Sequence, residues 1–258
     1  MIQYAEILGY NVSMYDFWNV VSTVVMFVYL MLQAKKFGKI SLYAASQLSP
    51  KRKMLVSIWE LLAIIVVAFA LFRVLNPAFA KWFTQGNANY YGSLTAWFIG
   101  ITVMTTIFKA SPFLAHDMFA PALPIQLFFA KLACLFFGCC SGGEKLGTGY
   151  FNWRTRRFEF PIQLVEALVA LALFVFLLLY QKRNRIPGSV FPVYLILYAV
   201  SRFVTEFFRA DLDNVLGPLD AYQILSIVYV FLGAMLLGIV WVCHHYGSYR
   251  TEKTDSVR

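Results

Sequence analysis

The chain has 258 residues, of which 60% are hydrophobic and only 14% are charged, and its formal net charge is +9. A soluble domain is about half apolar and about a quarter charged, so this composition excludes an ordinary soluble enzyme and predicts a polytopic membrane protein. The positive charge does not indicate nucleic-acid binding, because the basic residues of membrane proteins collect in cytoplasmic loops.

Seven apolar segments each have about the 20 residues that span a bilayer as a helix. They run over residues 14–33, 55–74, 91–110, a stretch ending near 140, 161–180, 189–208 and 221–243. The fourth contains Pro112, Pro121 and Pro124, and because proline breaks helices we predict a short piece and then a longer helix from about Ala122. No internal repeat divides the chain. We therefore interpret residues 1–258 as one all-α domain with about seven transmembrane helices.

The loops after the first and fifth segments hold most of the loop lysines and arginines. Such loops face the cytoplasm, which predicts an outward N-terminus and a cytoplasmic C-terminus. The connection from Ser141 to Phe160, which includes the basic run RTRRFEF, would then face outward.

Cysteines and histidines give no recognisable metal motif. The cysteines are Cys134, Cys139, Cys140 and Cys243, and the histidines are His116, His244 and His245. A second CxxC and a spaced histidine pair are both missing. We therefore expect no metal site and no cofactor, and we interpret the three histidines as residues of the membrane interface.

Charged residues lie inside the apolar segments, where they mark a site or a pathway by default. Arg202, Glu206 and Arg209 are spaced i, i+4, i+7 and share one helix face. Further members are Arg73 in the second segment, Asp117 and Lys131 in the fourth, and Glu166 in the fifth. Mutual neutralisation is one interpretation of this set, and snorkelling to the interface would explain Arg73 and Arg209. The functional alternative is an anionic ligand, such as a phospholipid phosphate, held by arginine.

Three segments of the C-terminal half follow one another in a characteristic order. They read FPIQLVEALVALALF at residues 160–174, GSVFPVYLILYAVSRFVTEFFRAD at 188–211 and YQILSIVYVFLG at 222–233. Their order and spacing resemble the prolipoprotein diacylglyceryl transferase family of seven-span bacterial membrane enzymes. The residues shared with the family include Gln163, Glu166, Arg202, Glu206 and Arg209.

The N-terminal half carries a weaker resemblance. The stretch HDMFAPALPIQLFFAKLACLFFGCCSGG is similar to a family stretch that keeps Asp117 and Gly138, with Lys131 in place of an arginine. Aligning YYGSLTAWFIG puts Tyr91 where the family has its catalytic histidine. The segments VSMYDFWN and ALFRVLN also resemble family motifs, and the residues that carry these matches are Tyr15 and Arg73.

The resemblance implies transfer of the diacylglyceryl group of phosphatidylglycerol to the lipobox cysteine of a preprolipoprotein signal peptide, with release of glycerol phosphate, in the bacterial cytoplasmic membrane. It implies catalysis without a metal or cofactor. The implied catalytic residues are Tyr91, Lys131, Arg202 and Glu206. The implied substrate-binding residues are Tyr15, Arg73, Asp117, Gly138, Gln163, Glu166 and Arg209.

Alternatives remain because tyrosine, with a pKa of about 10, is a poor base for a thiol with a pKa of about 8.5. One is a divergent transferase that uses another acceptor. Another is a non-catalytic phospholipid-binding membrane protein. A transporter would be expected to show an inverted repeat, which this sequence lacks.

Overall fold

A computed structural model describes most of the chain. The described residues are 4–7, 10–33, 49–83, 90–142, 149–183, 186–209, 214–216 and 219–255. Much of the basic loop after the first apolar segment, and Asp211 of the third shared motif, lie outside them.

Helices dominate the described residues. They are α1 (Met14–Leu32), α2 (Pro50–Phe83), α3 (Tyr90–Ile107), α4 (Pro112–Phe119), α5 (Ala122–Phe137), α6 (Ile162–Arg183), α7 (Val190–Glu206) and α8 (Ala221–Asp255). Within the described residues, four stretches are long and apolar enough to cross a membrane, namely Pro50–Leu75, Pro112–Phe137, Ile162–Arg183 and Ala221–His245. The shorter apolar helix Phe17–Leu32 adds to them. The all-α, multi-span prediction is confirmed, and the number of seven spans stays a prediction.

In the part of the chain that the structure describes, short strands form three two-stranded antiparallel hairpins. They are β1 (Tyr4–Ile7) with β2 (Tyr10–Ser13), β3 (Tyr150–Asn152) with β4 (Arg157–Glu159), and β5 (Asn214–Leu216) with β6 (Leu219–Asp220). The register of the second hairpin pairs Phe151 with Phe158. These hairpins connect or precede helices and were not predicted from the sequence.

The predicted proline break in the fourth apolar segment is confirmed. Helix α4 begins at Pro112 and ends at Phe119, and α5 begins at Ala122, directly after Pro121. Proline fits the first turn of a helix, where its missing N–H has no partner to lose.

Two helix ends near the shared motifs are stabilised by identifiable capping residues. Helix α5 ends at Gly138, which adopts a left-handed conformation with φ of 76°, a conformation that glycine adopts at no steric cost. Helix α8 begins with a capping box: the Gln223 N–H donates to Asp220 Oδ1 at 2.7 Å, and the Asp220 N–H donates to Gln223 Oε1 at 3.2 Å. Gln223 of the shared motif therefore stabilises a helix start.

Two compact units divide the chain. The first comprises Met1–Tyr29, Pro121–Leu178 and Leu197–Ile227, and the second comprises Leu30–Ala120, Leu179–Ile196 and Val228–Arg258. The interpretation of residues 1–258 as a single domain stays a prediction.

Within the second unit, α2 and α3 pack closely. A Cβ atom added at Gly100 would lie 2.9 Å from the Cα atom of Ala68. Leu61, Ile64 and Ala68 of α2 are fully buried. Because a side chain at position 100 would push the helices apart, Gly100 permits this close approach.

Candidate functional site

Five charged side chains meet within the first unit, and we call them the cation–carboxylate cluster: Lys131, Glu166, Arg202, Glu206 and Arg209. They come from α5, α6, α7 and the residues just after α7. Apolar residues surround them along each helix, so tertiary packing is what brings these charges together. The cluster contains three of the four residues predicted to be catalytic.

Glu166 is the shared carboxylate of the cluster. Its Oε2 lies 2.6 Å from Lys131 Nζ and 3.8 Å from Arg209 Nη1, and its Oε1 accepts a hydrogen bond from Arg202 Nη1. The carboxylate thus bridges cations from three parts of the chain. The sequence identified Glu166 as a family residue but did not reveal this pairing.

Arg202 is held from three directions. Besides Glu166, it contacts Glu206, with Nη2 2.7 Å from Oε2, and its Cζ lies 4.8 Å from the centroid of the Tyr222 ring. Glu206 also lies 3.3 Å from Arg209 Nε. The predicted i, i+4, i+7 face is therefore confirmed as a set of ion pairs. Tyr222, whose ring makes a cation–π contact, was missed because sequence distance hides it.

The five members of the cluster are three cations and two carboxylates, and a third carboxylate, the buried Asp220, interacts with Glu206 beside them. Glu166, Arg202 and Arg209 are buried, and Glu206 has no exposed surface. Arg209 is thus buried and paired, and the snorkelling interpretation of this residue is wrong. Because arginine and lysine form charge-assisted hydrogen bonds with phosphate, the three cations make this cluster suited to binding an anion.

A pocket opens beside the cluster within the first unit. Its walls are Leu127, Lys131, Glu166, Val169, Ala170, Leu173, Tyr198, Ser201, Arg202 and Thr205. One part of this lining is aliphatic, and the other part presents two cations, one carboxylate and three hydroxyl groups. Apolar walls with a few convergent polar groups are typical of ligand sites. This combination matches an amphiphile with an anionic head.

Asp117 has a different environment, in the second unit. Its Oδ2 accepts the Gly188 N–H at 2.6 Å, and its Oδ1 accepts those of Val190 at 2.8 Å and Phe191 at 3.1 Å. The carboxylate therefore binds the first N–H groups of α7, where the helix dipole favours a negative charge. These contacts explain Asp117 as a helix anchor, and its predicted substrate-binding role stays a prediction.

Gln163 and Gly138 support the turn after α5. The Gln163 side chain is fully buried, and its Nε2 donates to the Cys139 carbonyl at 2.7 Å. A Cβ at Gly138 would lie 2.4 Å from Asn152 Oδ1, and Asn152 Nδ2 donates to the Gly138 carbonyl at 2.9 Å. Both predicted binding residues thus have structural contacts in the first unit.

The remaining predicted residues lie elsewhere. Tyr91 belongs to the second unit, where its ring has no exposed surface and its carbonyl accepts the Tyr229 hydroxyl at 2.9 Å. Arg73 is exposed on α2, as expected for a snorkelling residue. Tyr15 is a residue of α1 whose side chain lies outside the described part. His116 is buried and stacks on Phe98, so its interpretation as an interfacial residue is wrong.

Three cysteines also converge in the first unit. The Sγ atoms of Cys134, Cys139 and Cys140 all lie within 4.8 Å of one another, and each residue is partly exposed. The C-x₄-C-C spacing contains neither a CxxC motif nor a histidine pair, so the sequence did not predict this grouping.

A carboxyl group outside the spanning segments also has a perturbed pKa. Burial raises the pKa of Glu159, but hydrogen bonds from Ser141, Thr155 and Asn152 outweigh it and lower that pKa below its usual 4.5. The Asn152 bond, from Nδ2 to Glu159 Oε2, is 2.6 Å long. This bond joins the two strands of the β3–β4 hairpin, and Asn152 also binds the Gly138 carbonyl of the turn after α5.

Comparison with known proteins extends over nearly the whole chain. A family model described as prolipoprotein diacylglyceryl transferase matches residues 3–239. Relatives include phosphatidylglycerol–prolipoprotein diacylglyceryl transferase 2 of Clostridium perfringens, which is 28% identical over 153 residues, or 57% of this chain and 59% of that protein. The corresponding Tropheryma whipplei enzyme is 31% identical over 181 residues, or 65% of this chain and 64% of its own.

A third relative, the enzyme of Psychrobacter arcticus, is 26% identical over 199 residues, which are 64% of this chain and 67% of that protein. The chain spans less than two thirds of the length of the Clostridium and Tropheryma relatives. The names of these relatives specify phosphatidylglycerol as the lipid donor and a prolipoprotein as the acceptor.

Proposed function

Because the chain belongs to the prolipoprotein diacylglyceryl transferase family, we propose that it transfers the diacylglyceryl group of phosphatidylglycerol to the cysteine thiol of a prolipoprotein, releasing glycerol phosphate. The observation that carries the proposal is the cation–carboxylate cluster, two of whose cations line a pocket with aliphatic walls on its other side. The lipobox of a signal peptide supplies the acceptor. The donor phosphate is the anion that the cluster binds.

Four of the five cluster residues then have distinct parts in the reaction. Arg202 and Lys131 bind the phosphate of the donor, Arg202 in the bidentate manner that a planar guanidinium permits. Glu206 holds Arg202, and Glu166 spaces the two cations. The acceptor thiolate attacks the glycerol carbon, the C–O bond to the phosphate breaks, and the negative charge that grows on the leaving phosphate is stabilised by these cations.

A second candidate function rests on Tyr91, which stands where the resemblance expects a histidine base. Tyr91 is fully buried, and its ring packs 4.6 Å from that of Tyr229. A site without a base for the thiol would still bind the phospholipid through its cations. The alternatives are therefore transfer to another acceptor, or phospholipid binding without transfer.

We further propose that the protein lies in the bacterial cytoplasmic membrane with its N-terminus outside and its C-terminus in the cytoplasm. Cys243 is exposed near the end of the last apolar stretch. A membrane-impermeant maleimide should label the Cys243 peptide in inverted vesicles and leave it unlabelled in intact spheroplasts. The reverse pattern, read by peptide mass spectrometry, would refute this orientation.

Purified protein in phosphatidylglycerol liposomes with a lipobox peptide tests the activity. Release of glycerol phosphate together with a diacylglyceryl mass gain on the peptide thiol is the expected result. Lys131→Ala should lower both signals, whereas Lys182→Ala, an exposed lysine near the end of α6, is the matched control and should not. Glycerol phosphate without peptide modification would indicate another acceptor, and phospholipid binding without either product would favour the binding protein.

A further inference from the structure

The β3–β4 hairpin has two faces of opposite chemistry. Side chains alternate between the two faces of a strand. Phe151 pairs with Phe158 across the hairpin, and Trp153 follows Phe151 at a spacing of two residues, so these three side chains share a face. The Phe151 ring lies 4.9 Å from the Trp153 ring and 5.4 Å from the Phe158 ring, centroid to centroid. One face of the hairpin is therefore an aromatic cluster.

The opposite face is polar, and it is the buried one. Asn152 and Glu159 are both buried. The Asn152 amide donates to the Glu159 carboxylate at 2.6 Å and to the Gly138 carbonyl at 2.9 Å. By contrast, Trp153 is 61% exposed and Phe158 is 66% exposed. A hairpin in water buries its apolar face and exposes its polar face, and because this hairpin does the reverse, its aromatic face is suited to a less polar surrounding.

Arginines accompany the exposed aromatic residues. Residues 153–158 read WRTRRF, and Arg154, Arg156 and Arg157 are all exposed. The Arg154 guanidinium lies 4.6 Å from the centroid of the Phe137 ring at the end of α5. Guanidinium groups form charge-assisted hydrogen bonds with phosphate, and aromatic rings are enriched at the level of the lipid headgroups. The hairpin thus combines the two kinds of side chain that suit an anionic bilayer interface.

The hairpin lies at the same end of α5 and α6 as the cation–carboxylate cluster. It connects the end of α5 to the start of α6, and both helices belong to stretches long and apolar enough to cross a membrane. Lys131 is seven residues before Gly138, and Glu166 is four residues after Ile162. At 1.5 Å of rise per residue, the cluster therefore lies about 6–10 Å along the helices from the ends that the hairpin joins.

We propose that the β3–β4 hairpin lies in the membrane interface, where its aromatic face contacts lipid and its arginines bind the phosphodiester headgroups of anionic phospholipids. The partner is a lipid surface, and the positive charge of the hairpin favours the anionic lipids within it. Phosphatidylglycerol is such a lipid, so the hairpin gathers the donor close to the cluster. This last consequence rests on the proposed transferase function, and the lipid contact does not.

Fluorescence of Trp153 in the full-length protein tests the contact. The chain has six tryptophans, so the difference between the wild type and Trp153→Phe isolates the signal of this residue. In phosphatidylcholine liposomes, a minor fraction of brominated phosphatidylglycerol should quench this signal more strongly than the same fraction of brominated phosphatidylcholine. High salt should reduce the difference, because it screens exposed charges. Equal quenching by the two lipids, or no quenching by either, would overturn the proposal.

Removal of the arginine charges provides a matched test. Arg156→Gln combined with Arg157→Gln should remove the excess quenching by phosphatidylglycerol. Lys182→Gln combined with Arg183→Gln removes the same charge from exposed side chains at the other end of α6, and it should keep the excess. An excess that persists in the first double variant, or that disappears in both, would refute the role of the arginines. The salt series on the wild type does not depend on whether a variant folds.

The transfer assay separates this inference from the proposed function. The arginine double variant should raise the phosphatidylglycerol fraction at half-maximal rate about five- to twentyfold, since each basic residue near an anionic surface contributes about a factor of five. Its half-saturating peptide concentration should not change. If Trp153 is quenched as expected but no transfer occurs, the transferase proposal fails and the hairpin contact stands. If transfer occurs and the double variant alters only the peptide dependence, or neither dependence, the hairpin proposal fails and the transferase proposal stands.

Discussion

The cation–carboxylate cluster and the Asp117 anchor both contain buried charges, and the desolvation of these charges is compensated in different ways. Asp117 is matched by three backbone N–H groups of one helix start, so its single charge is satisfied by fixed dipoles. The cluster instead pairs side chain against side chain, and two of its cations line a pocket. A buried charge satisfied by backbone stabilises the fold, whereas a cation that lines a pocket is available to a ligand.

Removing the central cation should produce the largest effect. Arg202→Ala is expected to lower diacylglyceryl transfer by about 10²–10³-fold, because it removes a donor to the leaving phosphate. The transfer activity of Arg202→Lys should lie between that of the wild type and that of Arg202→Ala, since lysine keeps the charge without the bidentate geometry. The measurement is glycerol phosphate release per inserted protein molecule. Activity of Arg202→Ala close to wild type would show that this cluster does not bind the donor phosphate.

Removing the anchor should affect stability instead of chemistry. Asp117→Ala is expected to cost about 3 kcal/mol, because three N–H groups lose a charged acceptor. Asp117→Asn, which keeps one acceptor oxygen, should cost less. Thermal unfolding in detergent measures the loss. Transfer by the folded fraction should be preserved at low temperature; a fully stable but inactive Asp117→Ala protein would place this residue in substrate binding after all.

The turn that joins α5 to the β3–β4 hairpin offers a smaller structural test. Gly138→Ala should destabilise the protein by about 1–2 kcal/mol because of its left-handed conformation, and the added methyl would also meet Asn152. Gly238→Ala in α8 is the matched control, since a Cβ there meets nothing within 4 Å. Similar melting temperatures for the two variants would contradict the assigned role of Gly138.

A carboxylate at the hairpin should give the smallest, pH-dependent effect. The folded-state pKa of Glu159 lies below its usual 4.5, so its stabilising contribution is present above that value and is lost as the pH falls through the folded-state pKa. Hydrogen exchange of the hairpin should therefore accelerate on acidification in the wild type. Glu159→Gln should exchange faster at neutral pH and respond less to acid. An acid response identical to that of the wild type would remove Glu159 as its source.

Local sequence rules predicted the parts of the fold that depend on local physics. The break before Ala122 follows from proline, and the shared face of Arg202, Glu206 and Arg209 follows from helix periodicity. The same rules gave no partner for Lys131 or Glu166, which lie 35 residues apart in the numbering of the chain. Their ion pair depends on how α5 packs against α6.

Resemblance to a family predicted substrate-binding roles for residues that also have structural contacts. Asp117, Gly138 and Gln163 were all predicted to bind substrate, and their described contacts are with backbone groups and with the side chains of Asn152 and Tyr150. A residue that stabilises a helix end and a residue that contacts a ligand can both belong to a family motif. Only the hydrogen-bond partners distinguish them.

The sequence by itself determined a multi-span helical membrane protein and the residues that carry its intramembrane charge, because hydropathy and helix periodicity are properties of the local chain. Tertiary structure decided which charges pair with one another and which of them line a pocket. It also decided that Cys134, Cys139 and Cys140 meet at one turn. Both outcomes depend on distances between side chains of separate segments, and such distances exist only once the helices have packed.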